Sequence, residues 1–145
     1  MPKIKLLISI AFLALFSNVS FGQSTPNTAS SEFCGKYFTA PKDCETAGNM
    51  IKCKDYVFAW IYEPIEDLPR HQKELLAQIH QPKKINVSVL GNNLVGYLSK
   101  VETYDNLLII GKVNDRGVIV NLWLNKAIKT TTDLPESVRQ FIVIK

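Results

Sequence analysis

Only two histidines, His71 and His80, occur in the 145 residues of this chain. They lie nine positions apart on one predicted helix, about 180° around its axis, and are not expected to meet in one site. Both read as surface residues, with His80 near a helix C-terminus, where the dipole favours a partly charged imidazole. No Gly-x-Ser-x-Gly elbow, H-E-x-x-H pair or D-x-(D/N)-x-(D/N)-G loop is present, which removes the signatures of serine hydrolases, zincins and EF-hands. Gly91 and Gly96 bracket a hairpin rather than opening a helix, so no phosphate loop is expected. Lysine and arginine form nothing larger than pairs such as Lys83–Lys84, and nucleic-acid binding, which needs a basic patch, is not expected either. Long apolar runs are missing as well: the longest, residues 6–16, spans 11 residues, against roughly 20 for a bilayer crossing. From these absences we expect no cofactor, no catalytic constellation and no metal site.

What is there begins at the N-terminus. Lys3 and Lys5 precede the apolar run, and Ser20 and Gly22 place small residues where a signal peptidase reads, so residues 1–22 read as a cleaved signal peptide. Export to the periplasm or beyond the cell follows, with no membrane anchor after cleavage. The signal holds two of the 17 basic residues, leaving 15 against 13 acidic and a net charge of +2 rather than +4. Residues 23–33 are polar and rich in Ser and Thr at their start, and read as a flexible leader to a single domain over 34–145. Of the three cysteines, Cys34, Cys44 and Cys53, an oxidising compartment should bridge two. Three pairings exist. Cys34–Cys53 is the one expected, because it would tie the start of the ordered region to a strand. No C-x-x-C pair supports zinc.

Residues 56–62 are aromatic and β-branched, the strongest strand signal, and Pro64 stops them. Asp67-Leu68-Pro69 reads as a helix start with Asp67 as cap. Leu68, Leu75, Leu76 and Ile79 then mark one apolar face up to Pro82. Four strands in meander order follow between 85 and 124, and Asp133-Leu134-Pro135-Glu136 repeats the helix start, with a short terminal helix carrying Val138, Phe141 and Ile142. The expected fold is α+β: one long helix on a curved, mainly antiparallel five-stranded sheet in β-α-β-β-β-β order, with a short C-terminal helix. This element order is similar to that of the cystatin-like folds. The hairpin Val89-Leu90-Gly91-Asn92-Asn93 lacks the Gln-x-Val-x-Gly pattern those inhibitors use, so protease inhibition does not carry over.

Tyr56, Phe58, Trp60 and Tyr62 share one strand face, which Tyr97 and Trp123 could extend. Left open, that face would form an aromatic binding surface. Covered by the N-terminal segment and the terminal helix, it is an ordinary second core. The leading expectation is an exported, non-catalytic binding module for a protein or small apolar ligand, in an inhibitor or immunity-type role, engaged through the sheet face or the hairpin tips. A second is a small envelope hydrolase built around Glu63, Glu66 and His71. The acids there are more simply explained by helix capping and the N-terminal dipole. A third is a structural or accessory envelope subunit.

Overall fold

The computed structural model describes residues 30–145. The signal peptide read over 1–22 and the leader up to residue 29 lie outside the described residues. Ser30–Phe33, read as the end of the leader, form a strand instead, β1. It pairs with β2, Lys36–Thr39, through a two-residue turn in which Cys34 and Gly35 both have positive φ (+48° and +88°). That is the turn whose twist matches a hairpin, and Gly35 enters it without a Cβ penalty.

A second sheet holds eight antiparallel strands. Its members are β3 (Glu45–Ala47), β4 (Met50–Lys52), β5 (Tyr56–Glu63), β6 (Lys83–Val89), β7 (Asn92–Val101), β8 (Tyr104–Val113), β9 (Arg116–Leu124) and β10 (Ile142–Ile144). Their spatial order is β10-β6-β7-β8-β9-β5-β4-β3. Helical residues form two groups. A 3-10 turn, Ile65–Asp67, runs into α1, Leu68–Ala77, and a 3-10 turn, Thr131–Asp133, precedes the four-residue α2, Glu136–Arg139.

Strand accounts for 53% of the structure and helix for 17%, so the protein is mostly β and the α+β expectation is corrected. The five expected strands are β5 to β9. The additional ones arise where the sequence gives little periodic signal. Residues 34–54 contain Gly35, Pro41 and Gly48 and suggest loops, yet they carry the rest of the hairpin and two three-residue strands. At the other end, the β-branched run Ile142-Val143-Ile144 leaves the expected helix and pairs with β6.

Strand alternation separates two cores. On one face lie Phe58 and Trp60 of β5, Leu107 and Ile109 of β8, and Val118, Val120 and Leu122 of β9, all at most 1% exposed. Phe33 and Phe38 of the hairpin and Phe141 after α2 close over them, with Phe33 5.5 Å from both Phe58 and Trp60 and Phe38 4.8 Å from Phe141. The opposite face, with Ala59, Tyr97, Leu108, Ile110 and Ile119, is covered by Leu68, Leu75, Leu76 and Ile79. Cys44 and Cys53 flank the β3–β4 hairpin and form the disulfide, with Cα atoms 4.4 Å apart. The expected Cys34–Cys53 bridge is thus corrected. Cys34 is a buried free thiol, because the β1–β2 turn directs it into the core.

Candidate functional site

One end of the sheet gathers the start of α1 and the β8–β9 turn. Glu63, the last residue of β5, pairs in register with Gly117. A Cβ on Gly117 would stand 2.2 Å from the Glu63 carbonyl oxygen, so only glycine lets the two strands close here. Pro64 (φ −55°, ψ 135°) then ends the strand, and the 3-10 turn swings the chain into α1. Residues 62–66 and 115–117 line a solvent-open cleft of about 440 Å³.

Glu63, Asp67 and His71 follow one another at intervals of four residues. Across a strand end, a 3-10 turn and a helical turn, that interval stacks them on one side. One donor atom from each lies within 4.8 Å of the other two, and His71 Nε2 is 3.6 Å from Glu63 Oε2. Asp67 makes no side-chain capping hydrogen bond. Capping, the simpler sequence-based explanation of this acid, therefore does not hold. Arg70 is the neighbouring cation. Its Nη2 lies 3.4 Å from Asp67 Oδ1 and 3.2 Å from His71 Nε2, while Nη1 lies 3.3 Å from Glu74 Oε1. Of the three residues that the hydrolase reading grouped, Glu63 and His71 come together. Glu66 lines the cleft, and Asp67 takes its place in the group.

On the other side of the cleft, Arg116 holds Glu32 at 3.0 Å and lies over the Tyr62 ring, 5.1 Å from its centroid. The Tyr62 hydroxyl donates to Glu32 Oε2 (3.1 Å) and accepts from the Cys34 N–H (2.8 Å). Burial raises the Tyr62 pKa. It also pushes the Cys34 thiol up to about 11, with Glu32 acting in the same direction and Arg116 and the Tyr62 hydrogen bond opposing it. This network latches the β1–β2 hairpin to the sheet. The thiol inside it is held in its unreactive form.

The aromatic face is not open. Phe58 and Trp60 are fully buried under the hairpin, with Tyr56 and Tyr62 packed at the edges of the same core. Tyr56 donates or accepts a 2.6 Å hydrogen bond with Ser137. Tyr97 and Trp123 do not extend this face. The register puts both on the other side of the sheet, with Tyr97 buried and accepting a hydrogen bond from Gln72 and Trp123 half-buried. Sequence reasoning missed Arg116 and the part played by Asp67. The second was recoverable in part, since Asp67 and His71 stand four apart at a helix start, whereas Glu63 joins them only through the strand end and the 3-10 turn.

Comparison with protein-family models, curated proteins and solved structures returns no match for this chain. The similarity in element order to the cystatin-like folds gains no support from it.

Proposed function

We propose that the protein is an exported, non-catalytic binding module that engages a protein partner through the end of the sheet where α1 begins. The observation that carries this reading is the open cleft at that end. It is lined by Glu63, Glu66, Asp115 and Arg116 together with Ile65, which is 42% exposed. Charges of both signs around an exposed apolar side chain suit a protein surface better than an enclosed small apolar ligand. The burial of Phe58 and Trp60 under the hairpin supports the choice of the sheet end over the sheet face. Export is supported by the Cys44–Cys53 disulfide, which persists in oxidising compartments. No helix among the described residues is long and apolar enough to cross a membrane.

The test is a photo-crosslinking residue placed at Asp115, at the cleft, or at Glu102, at the β7–β8 turn on the opposite end of the sheet, in cells that produce the protein. An adduct at 115 that is lost with Arg116→Glu, and none at 102, is expected. Equal adducts at both positions, or none at either, would overturn the reading.

A further inference from the structure

We infer that Glu63, Asp67 and His71 form a binding site for one divalent transition-metal ion, best matched by Zn²⁺. This inference deepens, and rests on, the reading of this end of the sheet as a binding surface. The donor set is one imidazole nitrogen and two carboxylate oxygens. Such a set suits borderline ions and leaves at least one coordination position outside the protein.

Geometry supports closure around an ion. Donors bound at about 2.0–2.2 Å in a tetrahedron stand about 3.4 Å apart. His71 Nε2 and Glu63 Oε2 already lie 3.6 Å apart, and the whole group falls within 4.8 Å. The remaining difference is at most about 1.4 Å, within reach of side-chain rotation at this partly exposed position. Glu63 is 21% exposed, His71 24% and Asp67 40%, which leaves the donors accessible to an ion while shielding them in part from water.

The backbone fixes the three positions independently of any ion. Glu63 is held by its pairing with Gly117, and the other two sit on consecutive helical turns. Asp67 has no capping bond to give up. Arg70 is the competing cation, reaching Asp67 and His71 through Nη2 while Nη1 contacts Glu74. An arriving ion displaces the Nη2 contacts only, and the guanidinium keeps Glu74. Glu66 and Asp115 add negative charge at the cleft, and Arg116 is already paired with Glu32.

The test is titration of the chelator-stripped full chain with Zn²⁺ by calorimetry and with Co²⁺ by visible absorption. One ion per chain is expected. His71→Gln, Glu63→Gln and Asp67→Asn should each weaken uptake at least about tenfold, because each removes one of three ligands. Arg70→Ala should tighten it several-fold by removing the competing charge, and His80→Gln should leave it within about twofold. Circular dichroism of the metal-free variants checks their fold, and Asp67→Asn and Arg70→Ala keep the test decisive if Glu63→Gln fails to fold. The inference is overturned by the absence of saturable uptake, by uptake indifferent to His71→Gln and Asp67→Asn, or by weaker binding in Arg70→Ala. Failed uptake with the Asp115 adduct intact would sink the metal site alone. Intact uptake with no adduct would sink the partner reading alone.

Discussion

Cys34 shows how a single backbone conformation decides a side chain's chemistry. The two-residue β1–β2 turn places it at φ +48° with its thiol in the core. Its pairing is not legible in the sequence, because the choice depends on a hairpin the sequence barely signals. Once β3 and β4 pair, Cys44 and Cys53 flank them as opposite neighbours. Burial raises the Cys34 pKa from 9.0 to about 11. The folded state therefore retains a proton that the unfolded chain gives up, and this contribution to stability is complete below pH 9 and lost as pH rises towards 11. Tyr56 and Tyr62, whose values burial also raises, act in the same sense from pH 10 upward. Urea midpoints should hold steady up to pH 9 and fall between 9 and 11, less steeply in Cys34→Ala. Equal slopes for the parent and the variant would contradict this account.

At the scale of elements, the β1–β2 hairpin is the part of the N-terminal segment that covers the aromatic face. It brings Phe33 and Phe38 onto Phe58, Trp60 and Phe141. Phe33→Ala should cost about 3–5 kcal/mol, whereas Tyr37→Ala, on the same hairpin and 74% exposed, should change stability by less than about 0.5 kcal/mol. Urea denaturation reads both, and a loss below 1 kcal/mol for Phe33→Ala would deny the hairpin its place in the core. What was legible in the sequence follows from length and periodicity. β5 carries a seven-residue aromatic and β-branched run, β6 alternates at Ile85, Val87 and Val89, and β8 and β9 carry apolar residues on both faces, with turn residues such as Asn114-Asp115 between them. The β1 to β4 strands have three or four residues each, too few for a period to show. Val138, Phe141 and Ile142 fit a helical face in the sequence, yet the helix ends at Arg139 and Phe141 and Ile142 lead into and begin a strand. The site itself is half legible: the sequence points to Glu63 and His71, but at Asp67 the helix start points to capping instead.

Across the whole molecule, the disulfide closes a short loop. Its sequence separation of nine implies about 2.5 kcal/mol on the loop-entropy account. Replacing both Cys44 and Cys53 by Ala should lower the unfolding free energy by roughly that amount and leave the circular dichroism spectrum β-rich. An unchanged midpoint would show that the β3–β4 edge is held without it. The strand order has a temporal consequence. β5 lies between β4 and β9, and its Glu63 waits for Gly117, 54 positions later in the chain (63 to 117). Phe58 and Trp60 pair with Leu122 and Val120, 64 and 60 positions later, so at about 5–20 residues per second of synthesis they lack their main partner strand for about 3 to 13 s. A strand rich in aromatic side chains thus emerges well before the neighbour that completes its burial, and during that interval the nascent chain is exposed to aggregation.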